Sequence, residues 1–112
     1  MTFTAVVVYP NEPDTTFDTD YYLKTHMPLV AQHWGPVGLK SWSVVKYERD
    51  LEGTTPKYLI AATLVWESEE AVKAAVAGEA AAIVFGDIPN FTNKKPVTLA
   101  GSIGIDIEDE GL

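Results

Sequence analysis

Two segments that are apolar on both faces constrain the fold of this chain most strongly. Residues 2–9 (TFTAVVVY) and 58–66 (YLIAATLVW) are rich in β-branched and aromatic residues, which favours strands. A strand with one face in water alternates apolar and polar side chains, and neither segment does so. We therefore expect both faces of the sheet that contains them to be covered.

The remaining elements complete a βαββαβ order. Strands are also predicted over 39–47 and 96–105, helices over 18–34, 68–78 and 79–85, and a hairpin-like loop over 48–57. This order is the split βαβ pattern of a ferredoxin-like α+β fold, a four-stranded antiparallel sheet with helices on one face. Because the helices cover only that face, we expect the other to pack on a second copy of the chain, forming a homodimer.

Composition narrows the possible functions. The 112 residues suit one domain over 1–112, with an acidic tail from about 106, and the net charge of −8 argues against nucleic acid and anionic membrane surfaces. With no cysteine and two histidines, thiol chemistry is excluded and a metal site is not expected. No apolar run approaches the roughly 20 residues that cross a bilayer, and we expect a cytoplasmic protein.

The first helix carries most of the candidate chemistry. Asp18 suits the N-cap, with Phe17 and Tyr22 placed for a hydrophobic staple. Both histidines, His26 and His33, fall on the apolar arc of the helix and are therefore expected to project inward. Pro28 interrupts the helix two residues after His26, which predicts a kink that opens space beside the imidazole.

A buried imidazole supports two interpretations. His26 can act as base and then acid near neutral pH, with Tyr22 donating to an oxyanion or fixing the ring tautomer. Alternatively, His26 is a core residue satisfied by one hydrogen bond. The further candidates that would line a pocket are His33, Trp42, Trp66, Phe85 and Phe91, and the alternative for the aromatic ones is core packing. Asn90 is interpreted as a turn former.

Two stretches also resemble a known family. The residues that match F-D-x-D-Y-Y-x-x-x-H-x-P-L are Phe17, Asp18, Asp20, Tyr21, Tyr22, His26, Pro28 and Leu29. Residues 87–92 (DIPNFT) match a D-x-x-N-F-T turn before the last strand. Both resemble the signature of the EthD family, small proteins of the dimeric α+β barrel superfamily. The resemblance spans essentially the whole chain and implies a homodimeric barrel, in a family whose members are often labelled reductases or oxidoreductases.

Two classes of function remain. The chain lacks a G-x-G-x-x-G after a strand, so hydride transfer from a nicotinamide held by this chain is unsupported. The first class is an enzyme of catabolic or secondary metabolism without cofactor, in which His26 moves a proton α to a carbonyl of an apolar, ring-containing metabolite. The result would be isomerisation, dehydration or decarboxylation. The second is an accessory protein of an oxygenase pathway that binds a hydrophobic compound, or haem as in some barrel relatives.

Overall fold

The structure, a computed structural model, describes residues 2–103. The elements in chain order are β1 (Phe3–Pro10), α1 (Thr19–Tyr21), a π-helical turn (Tyr22–His26), α2 (Met27–Trp34), a 3₁₀ turn (Gly35–Val37), β2 (Leu39–Lys46), β3 (Tyr58–Trp66), α3 (Glu69–Ala77), α4 (Glu79–Gly86), a 3₁₀ turn (Ile88–Asn90) and β4 (Val97–Ser102).

The four strands form one antiparallel sheet in the order β2-β3-β1-β4. This arrangement confirms the predicted ferredoxin-like α+β fold. Each predicted strand begins and ends close to the observed one. The last two residues predicted for β4, 104 and 105, and the acidic tail lie outside the described residues. No helix within residues 2–103 is long and apolar enough to cross a membrane.

The two faces of the sheet have different surroundings. Residues directly opposite each other on neighbouring strands share a face. Tyr9 and Ile60 lie opposite each other on the helix side, and both are buried. On the other side Val6 lies opposite Leu99, and Val45 lies opposite Ala61. Leu99 is 64% exposed and Val45 is 51% exposed in the single chain. The face away from the helices is thus apolar and open, as the absence of alternation predicts.

The interruption at Pro28 takes the form of a π-helical turn. The N–H of Met27 donates to the carbonyl of Tyr22, five residues back. Proline has no N–H, and its ring would crowd the carbonyl of Lys24 four residues earlier in a regular α-helix. The wider turn avoids this clash, so the chain inserts a residue where the sequence predicts a kink. His26 is the last residue of this turn.

The start of the helical segment matches its prediction. The side chain of Asp18 accepts a hydrogen bond from the backbone N–H of Tyr21. The rings of Phe17 and Tyr22 pack edge to face with centroids 5.1 Å apart. The cap and the staple together fix where the helix begins, and they fix the direction of the side chains that follow.

Candidate active site

His26 lies in the aromatic core, with 4% of the residue exposed. Its ring stacks on Tyr22, with centroids 5.6 Å apart and planes 16° apart. The Phe91 ring lies on it at 4.6 Å. Aromatic rings exclude water from an imidazole and so favour its neutral form.

A carboxylate from the other end of the chain holds this ring. Oδ2 of Asp87 lies 2.9 Å from Nδ1 of His26, and the two side chains are 10% and 6% exposed. The other carboxylate oxygen, Oδ1, accepts the hydroxyl of Tyr21 at 2.6 Å and the side-chain amide of Asn90 at 2.9 Å. Three hydrogen bonds therefore fix the orientation of the Asp87 carboxylate.

Docking of the two sequence motifs brings Asp87 to His26. The N–H of Asp18 donates to the Phe91 carbonyl at 2.7 Å, and the hydroxyl of Thr92 donates to the Thr16 carbonyl at 2.7 Å. Phe17 and Thr92 also form an isolated antiparallel bridge. The turn at 87–92 is thus tied to the start of the first helix by backbone and side chain together, so the two motifs form a single site.

The pKa of each partner follows from its surroundings. Burial lowers the pKa of His26 below its ordinary value, and the attraction of Asp87 opposes this without reversing it. Burial acts to raise the pKa of Asp87, but the hydrogen bonds from Tyr21, Asn90 and His26 outweigh it and lower that pKa. At neutral pH the pair is therefore a neutral imidazole beside an ionised carboxylate.

This charge state sets the tautomer of the imidazole. An ionised carboxylate only accepts hydrogen bonds, so Nδ1 of His26 carries the proton and donates it to Asp87. Nε2 is then unprotonated and keeps its lone pair, which is the state that a general base requires. On the sequence alone Tyr22 was the candidate for fixing the tautomer, but in the structure the Asp87 carboxylate holds Nδ1.

A cavity of about 310 Å³ opens beside His26, between the helices and the sheet. Most of its lining is aliphatic or aromatic, and the lining residues with polar side-chain atoms are Tyr9, His26, Trp34, Trp66 and Thr98. The indole nitrogens of Trp34 and Trp66 are enclosed and have no hydrogen-bond partner among residues 2–103. A cavity of this kind suits an apolar molecule with few polar atoms.

The structure brings together some of the candidate residues and separates others. His26, Trp66 and Phe85 line the cavity. Tyr22 and Phe91 pack against the ring of His26 but are not part of the cavity wall. The two that lie away from the cavity are His33, on α2, and Trp42, beside a separate surface depression.

Two residues of the hydrogen-bonded cluster around His26 were missed at the sequence level. Asp87 and Tyr21 both belong to the quoted motifs, yet Asp87 was interpreted only as part of a turn. The sequence offers one signal for Asp87, which is that one motif contains an acidic residue and the other a histidine. Only the folded structure shows that these two residues lie close together. Within residues 2–103, no group of three or more histidine, aspartate or glutamate side chains is arranged to hold a metal ion.

The fold defines a class of protein first, the ferredoxin-like α+β proteins, some of which are described as dimeric. A solved structure of that description from Jannaschia sp. CCS1 matches with a TM-score of 0.63 and 13% identity, over 91% of this chain and 98% of that one. SnoaB from Streptomyces nogalater, a cofactor-independent oxygenase solved as a mutant, matches with a TM-score of 0.60 and 13% identity, over 96% of each chain. At such identities the likeness concerns the fold alone.

The particular resemblance is to EthD-like proteins. An EthD-like protein from Ralstonia eutropha JMP134 is 27% identical to this chain, covers 96% of it over 96% of its own length, and superposes with a TM-score of 0.86. This comparison confirms the resemblance that the two sequence motifs indicate. No family model matches the sequence, and no curated protein matches it.

Proposed function

We propose that this chain is an acid–base enzyme without cofactor that moves a proton α to a carbonyl of an apolar, ring-containing metabolite. The observation that supports this most directly is His26 at the wall of an apolar cavity, with its Nδ1 hydrogen-bonded to Asp87. His26 makes one hydrogen bond, as a structural histidine does, but its acceptor is a carboxylate fixed by two further donors, and its other nitrogen, Nε2, stays basic in a residue that lines a cavity.

The proposed step is a proton transfer that leaves all atoms and electrons accounted for. Nε2 of His26 takes the α-hydrogen as a proton, the C–H electron pair forms the carbon–carbon double bond of an enolate, and the carbonyl π electrons move to oxygen. Asp87 stabilises the imidazolium that results and remains ionised itself. In a β,γ-unsaturated ketone, return of the proton from His26 to the γ-carbon gives isomerisation. In a β-hydroxy ketone the enolate expels the β-hydroxyl, which leaves as water with that proton and gives dehydration.

The comparisons support a reaction of this kind at the level of the fold. SnoaB is described as a cofactor-independent oxygenase, and it has the same architecture. This fold can thus host catalysis without a cofactor. The reductase label of the EthD family has no counterpart in this sequence, because no G-x-G-x-x-G nucleotide-binding motif follows a strand.

We also infer that the chain works as a homodimer through the open face of the sheet. That face carries exposed apolar side chains on both edge strands, β2 and β4, and a fold neighbour is described as dimeric. An apolar sheet face of this extent is unfavourable in water, and packing two such faces together removes it from solvent.

Deuterium exchange tests the proposal without knowledge of the natural substrate. α-Tetralone is an apolar bicyclic ketone with exchangeable α-hydrogens. In D₂O the protein should accelerate their exchange well beyond free imidazole at the same concentration, as followed by mass spectrometry. Binding of α-tetralone without faster deuterium exchange would overturn the proposed enzymatic activity. It would favour a ligand-binding role, which the apolar lining of the cavity also suits.

A further inference from the structure

Besides His26, a second buried residue that lines the cavity carries a hydroxyl group. Tyr9, next to the end of β1, is 1% exposed and lines the same cavity as His26. Both residues pack on the ring of Phe91, with centroid distances of 5.6 Å for Tyr9 and 4.6 Å for His26. Tyr9 and His26 therefore line the same cavity and share the Phe91 ring as a neighbour.

The hydroxyl of Tyr9 has no assigned partner within the described range. No hydrogen bond joins it to another residue in 2–103, and it is not among the enclosed side-chain atoms without a partner in that range, which are the two indole nitrogens. A hydroxyl that is neither bonded nor sealed is free to donate to a molecule in the cavity.

The surroundings of Tyr9 make it a rigid and permanently protonated donor. Its ring is held edge to face by Phe17, Tyr22 and Phe91, at centroid distances of 5.3, 5.8 and 5.6 Å. Burial, and then the neighbouring Tyr22, raise the pKa of Tyr9 far above its ordinary value. A donor that keeps its proton and does not move is well suited to a developing negative charge.

We propose that the Tyr9 hydroxyl binds the carbonyl oxygen of the substrate opposite His26, and that the substrates are therefore apolar ketones or aldehydes. This assignment rests on the proposed function and adds the group that stabilises its intermediate. As His26 removes the α-hydrogen, the carbonyl oxygen becomes an enolate oxygen, and the hydrogen bond from Tyr9 strengthens without transfer of its proton. On the sequence alone this role fell to Tyr22, which does not line the cavity.

An enolate analogue tests the assignment separately from catalysis. Ionised α-naphthol has the shape of the enolate of α-tetralone, and naphthalene is the matched probe without oxygen. Tyr9→Phe should weaken binding of ionised α-naphthol by about 10–100-fold, the usual effect of one hydrogen bond to a charged acceptor. It should leave the dissociation constant of naphthalene within about twofold. Tyr58→Phe, at the exposed start of β3, should change neither constant.

The outcomes separate the two proposals. Unchanged α-naphthol affinity in Tyr9→Phe overturns the role of Tyr9, and a loss in Tyr22→Phe instead would move that role to Tyr22. Equal losses for α-naphthol and naphthalene would also overturn it, since they indicate altered packing. The proposed function fails on a different readout, if α-tetralone exchange in the wild-type protein does not exceed the imidazole background.

Discussion

The carboxylate of Asp87 and the imidazole of His26 are 61 positions apart in sequence, and they meet at 2.9 Å. Neither residue alone indicates chemistry, because an aspartate in a turn and a histidine on an apolar helix face are both common. Together they form an oriented base, in which one nitrogen is held and the other keeps its lone pair. The relation also joins the two EthD-like motifs, since each contributes one partner.

Asp87→Asn should slow exchange of α-tetralone by about 10²-fold or more, since the amide cannot stabilise the imidazolium as a charge does. The amide oxygen can still accept the hydrogen bonds from Tyr21 and Asn90, so we expect the fold to persist. Mass spectrometry gives the exchange rate, and circular dichroism gives the thermal midpoint. Asp20→Asn, an exposed aspartate in α1, is the matched control. Equal rates in the two variants would contradict a role for the Asp87 charge.

The pH dependence should follow the lowered pKa of His26. The base must be neutral, so kcat/KM for exchange should rise with pH to a plateau through a pKa below the ordinary 6.5. Titration of the ¹⁵N-labelled imidazole should show proton attachment at Nδ1 on that plateau. A midpoint of the profile at or above pH 6.5 would contradict the lowered pKa of His26, and a proton on Nε2 would contradict the assigned tautomer.

The same shift predicts how stability depends on pH. A folded pKa below the unfolded value means that the unfolded state binds more protons in that window. The contribution of His26 is thus complete above about pH 6.5 and is lost as the pH falls toward its folded pKa. The lowered pKa of Asp87 adds a second loss at lower pH. The thermal midpoint of His26→Gln should therefore fall less steeply than that of the wild-type protein between about pH 6.5 and 5.

The fold could be predicted from the sequence because it depends on periodic patterns. Strands that are apolar on both faces indicate a covered sheet, and Asp18 marks the start of the helix by local chemistry alone. The inward position of His26 followed from the same periodicity. Asp87 could not be predicted as its partner, because pairing across 61 residues depends on tertiary packing. Tyr9 was missed for a similar reason, since its strand gives no sign of which end faces a cavity.

The π-helical turn before Pro28 could not be predicted from the sequence either, because a proline inside a helix is compatible with a kink or with a π-helical turn. Pro28→Ala restores an N–H that can donate to the carbonyl of Lys24, which favours a regular helix. We expect unchanged or higher thermal stability and weaker binding of a hydrophobic dye in the cavity. Pro13→Ala, in an exposed loop, is the control. Lower thermal stability with unchanged dye binding would mean that Pro28 only packs against its neighbours and does not open the cavity.

Val45→Lys tests the homodimer. Val45 is 51% exposed on the open sheet face, and a lysine there would be buried against the second copy. Sedimentation should give a dimer for the wild-type protein, with an interface on the order of 1,600 Å² or more, and a shift toward monomer for Val45→Lys. Val37→Lys, 45% exposed in the 3₁₀ turn after α2, should remain dimeric. A wild-type protein that sediments as a monomer at micromolar concentration would contradict the dimeric barrel.

The most direct test of the account is the rate of α-tetralone exchange in His26→Gln, measured beside its thermal midpoint. Glutamine keeps the approximate size and a hydrogen bond but carries no proton between substrate and solvent. We expect the exchange rate to fall by about 10²–10⁴-fold, with the dimer and the midpoint at neutral pH retained. His33→Gln, a matched change outside the cavity wall, should keep the wild-type rate. A His26→Gln protein that melts early and exchanges α-tetralone at the wild-type rate would show that the histidine is structural and would contradict the account.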